Sequence, residues 1–225
     1  MNERYRNSAS KLVELMPDYF FTYGQWGNDN IKLPLCCKTI SVGNPFLEAK
    51  SLEFPRLKQK VTTIAVISTI INGVDLYNFY CNVANYLKDK GIQVLYKLHP
   101  NEFDSWEKNY PNLKNYDNVK IIHDDTSVFE VLSKSDFVFG VNSTTFFEAL
   151  VYNNLKLGIY KIHGYEQMQY LIDAGVAKTF DNESEFYSLI DETKENNNVN
   201  ASSNVEFWKV NAQLNTTKEL YSVIR

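Results

Sequence analysis

Short apolar runs alternate with amphipathic stretches along the middle of this chain. The run Thr63–Ile67 (TIAVI) is uncharged and mostly β-branched, which predicts a buried strand. Between Val74 and Lys90 the apolar residues recur at spacings of three and four, which predicts an amphipathic helix that Gly91 ends. The same alternation continues toward residue 193. Further strands are predicted at 92–98, 119–123, 136–141, 156–160 and 177–180, and helices at 127–134, 146–152, 166–174 and 183–193, with a weak helix or loop at 101–113.

This alternation also indicates how the strands are arranged. Strands joined by short connections that contain helices favour a parallel sheet with both faces covered. The right-handed crossover rule then leaves a Rossmann-like doubly wound parallel sheet as the expected architecture. The predicted fold class is therefore α/β.

The two ends of the chain follow a different pattern. A short helix at 9–16 and two short strands, Asp18–Tyr23 and Thr39–Val42, precede a linker at 50–59. A polar linker at 196–204 leads into a last amphipathic helix, Val205–Ile224. Two strands cannot form an independent core, so they are interpreted as the end of another sheet. The expected division is 1–58 for this remnant, 59–200 for the Rossmann-like domain and 201–225 for the closing helix.

Composition and charge exclude several classes of protein. The chain of 225 residues has 23 basic and 27 acidic side chains and a net charge of −4, which argues against a dedicated nucleic-acid binder. No apolar run approaches the roughly 18–20 residues that span a bilayer, and the polar N-terminus has no secretory signal. The three cysteines lack CxxC spacing, which favours a reducing cytoplasm over a disulfide framework.

Candidate chemistry collects where the predicted strands end, because ligands of parallel α/β sheets bind beyond the carboxyl ends of the strands. A Ser-Thr-Thr turn before a helix suits a phosphate group. A histidine at the neighbouring strand end could neutralise that phosphate or donate a proton to it as it leaves. The residues delivered to this edge are Ser68, Thr69, Lys97, His99, Glu102, His123, Asp124, Asp125, Asn142, Ser143, Thr144, Thr145, Lys161, His163 and Gly164.

Several of these strand-end residues also have a purely structural interpretation. Thr145 and Glu148 have the spacing of a helix capping box, which needs no ligand. His99 could be tied to the backbone at a strand end, and His123 could be structural or solvated. Asp124-Asp125 fits an ordinary turn and cap pair. GxGxxG, Walker A, GxSxG, HExxH and metal-spaced clusters are all absent from the sequence. Spacing alone therefore predicts a phosphate-binding Rossmann-like domain and no particular reaction.

Two segments of the chain resemble a known family. Tyr96–Glu102 (YKLHPNE) and Ser135–Leu150 (SDFVFGVNSTTFFEAL) are similar to the C-terminal, donor-binding half of GT-B glycosyltransferases that build bacterial surface polysaccharides. The likeness is to polysialyltransferases and bacterial sialyltransferases, with their His-Pro and Ser-Ser/Thr motifs, and to CDP-glycerol glycerophosphotransferases. Asp18–Gly24 and Ile40–Pro45 (ISVGNP) resemble the last strands of the first GT-B domain. The resemblance extends from about Asp18 to Asp173.

The resemblance implies roles for particular residues. His99 would contact the nucleotide phosphate and assist its departure, Ser143 and Thr144 would bind the donor phosphates, and Glu148 would reach the ribose. Families of this type need no metal at the donor site, so no metal and no cofactor is expected. The donor site predicted in this way comprises Ser68, Thr69, Lys97, His99, Pro100, Asn142, Ser143, Thr144, Thr145 and Glu148.

The resemblance also implies what the chain would act on. The substrates would be a CMP-, CDP- or UDP-linked donor and a saccharide acceptor for capsule or lipopolysaccharide synthesis, in an inverting transfer. The acidic general base belongs to the first domain of this class, so we expect nucleotide binding with little or no transfer by this chain alone. Peripheral association with the inner face of the membrane would come only through that other half.

Self-association and two other functions stay open at this stage. An exposed Trp208 and Tyr221 on the closing helix would favour self-association. A nucleotide-sugar epimerase uses the same two-domain fold, and a non-catalytic Rossmann-like interaction module would have lost its site.

Overall fold

The computed structural model describes residues 15–33, 36–56, 62–152, 154–195 and 207–224. It divides into two compact units, one formed by residues 53–201 and the other by residues 1–52 together with 202–225. The predicted polar linker at 196–204 and most of the predicted helix at 9–16 lie outside the described residues.

The larger unit contains a parallel sheet of six strands. Its strands are β3 (Thr63–Ile67), β4 (Gln93–Lys97), β5 (Val119–Ile122), β6 (Phe137–Gly140), β7 (Lys156–Tyr160) and β8 (Ala177–Phe180). They lie in the order β5-β4-β3-β6-β7-β8, and every neighbouring pair is parallel. The chain therefore starts at β3, winds outward on one side to β5, and then returns to β6 on the other side of β3. This is the doubly wound Rossmann-like order that the sequence predicted, with its switch point between β3 and β6.

Helices connect these strands as the hydrophobic pattern predicted. They are α3 (Gly73–Asp89), α4 (Trp106–Asn109), α5 (Val128–Ser133), α6 (Thr145–Ala149), α7 (Gln169–Asp173) and α8 (Glu183–Glu195), with short 3-10 turns at Pro100–Glu102, Pro111–Asn115 and Tyr165–Met168. The long apolar face of α3 is almost completely buried.

Aromatic side chains fill the core between α3, α8 and the sheet. The rings of Phe79 on α3 and Phe186 on α8 lie 6.3 Å and 4.9 Å from the ring of Phe139 on β6. Phe180 on β8 packs 5.2 Å from Phe79. Successive side chains of a strand point to opposite faces, and Val138, next to Phe139, is also fully buried. Both faces of the sheet are therefore covered, which explains why every residue of β3 and β6 is buried and none is charged.

The smaller unit is built around two parallel strands. These are β1 (Tyr19–Thr22) and β2 (Lys38–Ser41), connected through α1 (Gln25–Asn30) and followed by α2 (Pro45–Glu53). The last helix, α9 (Ala212–Val223), belongs to this unit. Both oxygens of the Glu48 carboxylate accept hydrogen bonds at its start, from the N–H groups of Asn211 (2.7 Å) and Ala212 (2.8 Å). A charged cap on two otherwise unpaired N–H groups stabilises the junction between chain segments more than 160 residues apart.

Three predictions for the ends of the chain were wrong. The closing helix begins at Ala212 instead of Val205, because Asn211 adopts a left-handed conformation (φ 61°) that interrupts the helix. Trp208 is buried within the smaller unit instead of exposed, whereas Tyr221 is 69% exposed as expected. Part of the predicted linker at 50–59 is helical, because α2 extends to Glu53. Among the described residues, no helix combines the length and apolarity needed to cross a membrane.

Candidate functional site

A cavity of about 320 Å³ opens at the carboxyl edge of the six-stranded sheet. Its walls come from the loops after β3, β4, β5 and β6, beside the switch point where ligands of open α/β sheets bind. The volume is in the range of small-molecule sites. The lining residues are Ile67, Ser68, Lys97, Leu98, His99, Pro100, Phe103, Asp124, Asp125, Thr126, Val128, Ser143 and Thr145.

His99 sits at the end of β4, where Pro100 turns the chain into a 3-10 helix. Its Nδ1 atom accepts a hydrogen bond from the main-chain N–H of Asn101 at 3.2 Å. In a neutral imidazole the other ring nitrogen, Nε2, then carries the proton. The hydrogen bond between His99 and the backbone, which was the structural alternative for this residue, is therefore present. It occupies only Nδ1, so Nε2 remains a hydrogen-bond donor on a residue that lines the cavity.

Glu102 stabilises this turn through hydrogen bonds, although it does not line the cavity itself. Its carboxylate is 4% exposed and accepts hydrogen bonds from the main-chain N–H of His99 (2.7 Å), from Ser68 Oγ (3.0 Å) and from the hydroxyl of Tyr110. Burial and the bond to Glu102 raise the pKa of the Tyr110 hydroxyl, which therefore stays protonated. The sequence placed Glu102 at a strand end but gave no sign of this network, because Tyr110 lies eight residues farther along the chain.

Lys97 connects the ends of β4 and β5. Its ammonium group donates a hydrogen bond to the carbonyl oxygen of Asp124 at 2.9 Å and lies 5.2 Å from the ring centre of Phe103. Burial lowers the pKa of Lys97, and the neighbouring Asp124 and Asp125 oppose that shift. Asp124 also closes the turn predicted for this pair, because its Oδ1 accepts from Thr126 N–H at 3.0 Å. Both aspartates nevertheless line the cavity, which the turn interpretation did not anticipate.

The loop after β6 contributes Ser143 and Thr145. The Oγ atom of Ser143 accepts a hydrogen bond from the main-chain N–H of Thr145 at 3.2 Å. The capping box predicted for Thr145 and Glu148 is wrong, since α6 begins at Thr145 itself and Thr144 is its N-cap. Glu148 instead lies half-buried within α6, where burial raises the pKa of its carboxyl group.

Several predicted site residues are not part of the cavity wall. Thr69 and Asn142 form a neighbouring cluster, in which Asn142 Oδ1 accepts from Thr69 Oγ1 and from Asn72 Nδ2, both at 3.3 Å. Thr144 is exposed, and neither it nor Glu148 lines the cavity. Among the other strand-end residues, His123 packs against Trp106 with 5.3 Å between ring centres. Lys161, His163 and Gly164 follow β7 and are likewise not among the lining residues.

A family model matches the central part of the chain. The model of the alpha-2,8-polysialyltransferase (POLYST) family matches residues 68–161, the segment from the end of β3 to the end of β7. A search of curated proteins found no match.

Solved structures similar to this chain share its fold. They include the S. aureus MnaA–UDP complex (TM-score 0.58, 14% identity, 83% of this chain and 55% of that one). A variant of the wall teichoic acid polymerase TagF matches with TM-score 0.56 and 11% identity over 92% of this chain and 59% of that one. MurG of Acinetobacter baumannii matches with TM-score 0.51 and 12% identity over 82% of this chain and 56% of that one.

These similarities agree with the family resemblance read from the sequence. The present chain spans little more than half the length of each of these three proteins. At such low identity the structural matches establish the fold, and the family model covers 94 residues between 68 and 161. This central segment resembles the alpha-2,8-polysialyltransferases, on a Rossmann-like fold that the chain shares with GT-B glycosyltransferases.

Proposed function

We propose that residues 59–200 are the donor nucleotide-binding domain of a glycosyltransferase that acts in capsule or lipopolysaccharide synthesis. The observation that carries this proposal is the cavity beside the β3–β6 switch point, where Ser68, His99 and Ser143 converge from three different strand ends. The match to the polysialyltransferase model begins at Ser68 and includes His99 and Ser143. Complexes named for UDP and for CDPG exist among the structures with this fold, which supports a nucleotide-linked ligand.

His99 is the residue that we assign to the chemical step. With its proton on Nε2, it donates a hydrogen bond to a phosphate oxygen of the bound donor. As the bond between the sugar and that oxygen breaks, the oxygen keeps the bonding electrons, and the hydrogen bond from Nε2–H stabilises the negative charge that develops on it. The acceptor hydroxyl bonds to the sugar from the opposite face and gives its proton to a base in the other half of the enzyme.

The other predicted residues bind and orient the donor. Ser143 and Thr144 contact the phosphates, and Glu148 reaches the ribose from α6. Lys97 is held by the Asp124 carbonyl, which positions its charge at the cavity wall. Pro100 and Thr145 complete that wall, and the hydrogen-bonded side chains of Thr69 and Asn142 lie beside it.

The chain is expected to bind a donor without completing the transfer. It spans 55–59% of the three related structures described above, and a base that deprotonates the acceptor belongs to the other half of such enzymes. The saccharide acceptor would therefore bind with the help of a second domain. The boundaries 1–58 and 201–225 for the segments flanking the donor domain remain part of this proposal.

The test is a panel of CMP, CDP, UMP, UDP, GDP and ADP in thermal unfolding of the wild type and His99→Ala. A nucleotide at a hundred times its dissociation constant adds about 2.7 kcal/mol of stability, which shifts the melting temperature visibly. The matched control is His123→Ala, which removes the histidine of the next strand end without touching the cavity wall. One nucleotide should shift the wild type and the control but not His99→Ala. Flat curves from folded protein would instead favour a non-catalytic module.

A further inference from the structure

The carboxylate of Glu102 determines which hydrogen-bonding groups the cavity can offer. Glu102 does not line the cavity, but two of its three partners, Ser68 and His99, do. The third partner, Tyr110, is 2% exposed and lies outside the lining. Glu102 is thus a buried acid in direct contact with the site wall, and no step of the proposed reaction uses it.

The carboxylate of Glu102 fixes the direction of the hydrogen bonds that end on it, because a carboxylate only accepts. A main-chain N–H can only donate, so the bond from His99 to Oε2 requires an acceptor there. The Tyr110 hydroxyl and the Ser68 hydroxyl both meet the other oxygen, Oε1. The carboxylate of Glu102 therefore accepts from three donors at once.

It follows that the two serines of the cavity have opposite polarity. Ser68 has a single proton and gives it to Glu102 at 3.0 Å, so only its lone pairs remain for a ligand. Ser143 already accepts from the Thr145 N–H at 3.2 Å and keeps its own proton for a ligand. His99 adds a second donor through Nε2, because Asn101 occupies Nδ1.

We propose that Glu102 is a positioning residue that makes Ser68 a hydrogen-bond acceptor between two donors, His99 at the end of β4 and Ser143 at the end of β6. The two donors bind a phosphate, whose oxygens only accept. Ser68 binds a hydroxyl group of the ribose or of the transferred sugar, because its own proton is directed to Glu102. The polarity itself comes from the network, whereas the identity of the ligand groups rests on the proposed function.

The first test needs no ligand. Proton NMR of the wild type should contain slowly exchanging hydroxyl signals for Ser68 and Tyr110, which Ser68→Ala and Tyr110→Phe each remove. In Glu102→Gln the amide oxygen must face the His99 N–H, so the amide NH2 faces the two hydroxyls and makes both of them acceptors. The Ser68 signal should then disappear as its proton turns toward the cavity. A Ser68 signal that is absent from the wild type, or unchanged in Glu102→Gln, would overturn the proposal.

The second test uses pyrophosphate and the nucleotide selected by the panel, titrated by calorimetry at fixed salt. Loss of one net hydrogen bond weakens binding by about fivefold. Ser143→Ala should weaken both ligands by about this factor, whereas Ser68→Ala should weaken the nucleotide and leave pyrophosphate unchanged. Glu102→Gln should strengthen pyrophosphate binding, since it removes the negative charge of the carboxylate and allows the Ser68 hydroxyl to donate its proton to the ligand.

Two results distinguish this proposal from the proposed function. If Ser68→Ala weakens pyrophosphate as much as Ser143→Ala does, the assignment of Ser68 as an acceptor is wrong even though a nucleotide binds. If neither ligand binds the wild type, the donor-domain proposal fails, and the hydroxyl spectra still decide the role of Glu102. Circular dichroism of each variant verifies that the fold is retained.

Discussion

The buried network around Glu102 depends on the absence of a side chain at Gly73. A Cβ atom built at Gly73 would lie 2.2 Å from the Tyr110 hydroxyl oxygen and 2.4 Å from Glu102 Oε1. Both contacts are far below van der Waals distance, and Tyr110 and Glu102 are too deeply buried to swing aside. Gly73→Ala therefore has to displace the phenol from the carboxylate.

The size of the effect follows from three contributions. A lost hydrogen bond to a charged group costs about 1.5–3 kcal/mol, and inserting a methyl group into a packed interior costs about 1–3 kcal/mol. The helix preference of alanine over glycine returns at most about 1 kcal/mol at the first residue of α3. The net loss is about 1.5–5 kcal/mol, which lowers the melting temperature of a chain of this size by about 3–20 °C.

Thermal and urea unfolding of a double-mutant cycle provides the measurement. Tyr110→Phe alone should cost about 1.5–3 kcal/mol, because it removes the same bond. In the double variant the alanine methyl occupies the space of the missing hydroxyl, so its cost should be close to that of Tyr110→Phe. The expected coupling free energy between the Gly73→Ala and Tyr110→Phe substitutions is at least about 1 kcal/mol. Additive costs, or a Gly73→Ala variant as stable as the wild type, would refute this reasoning.

Two further predictions concern the smaller unit and α6. Gly43→Ala should release α9, because Gly43 has φ 94° and an added Cβ would lie 2.2 Å from the carbonyl oxygen of Lys209. Amide hydrogen exchange across α9 should become at least tenfold faster in Gly43→Ala. The control is Gly175→Ala: Gly175 has φ 68° but no atom within 4 Å of an added Cβ, so the substitution should cost only about 1 kcal/mol of backbone strain. Unchanged exchange in α9 would contradict the role of Gly43. Glu148→Gln should stabilise the fold above pH 6 while it weakens nucleotide binding. Burial raises the pKa of the Glu148 carboxyl group in the folded state, so its ionisation lowers the stability of the wild type as the pH rises above the unfolded-state pKa of 4.5. Urea unfolding at pH 5 and pH 8 should give a larger gain at pH 8, and an equal gain at both would reject that cause.

The fold of the larger unit was predictable because its strands are buried on both faces. Runs such as TIAVI at 63–67 and FVFG at 137–140 have no charged residue, and the helix between Gly73 and Asp89 has a clear periodicity of three and four. The course of the C-terminal segment was not predictable, because Asn211 interrupts an otherwise helical pattern through its own backbone conformation. Trp208 is buried as well, and the main-chain N–H of the adjacent Lys209 bonds to the carbonyl oxygen of Tyr23, which is far away in the sequence.

The candidate site was only partly predictable for a similar reason. The rule that ligands bind at the carboxyl ends of parallel strands selected Ser68, His99 and Ser143, and all three meet at the cavity. The rule says nothing about which side of a loop faces the cavity, so Thr69 and Asn142 were included although they pair with each other beside it. The hydrogen bonds that orient Ser68 and His99 join residues up to 34 positions apart, so no local sequence pattern predicts them.

The most direct test of the donor-domain proposal is to map where a nucleotide binds. Amide chemical shifts of the labelled chain would be followed during titration with the nucleotide that stabilises it. The proposal predicts shifts confined to residues 67–69, 97–103, 124–128 and 142–148, at the carboxyl edge of the sheet, with loss of these shifts in His99→Ala. Shifts centred on the amino-terminal ends of the strands, or on the smaller unit, would contradict it.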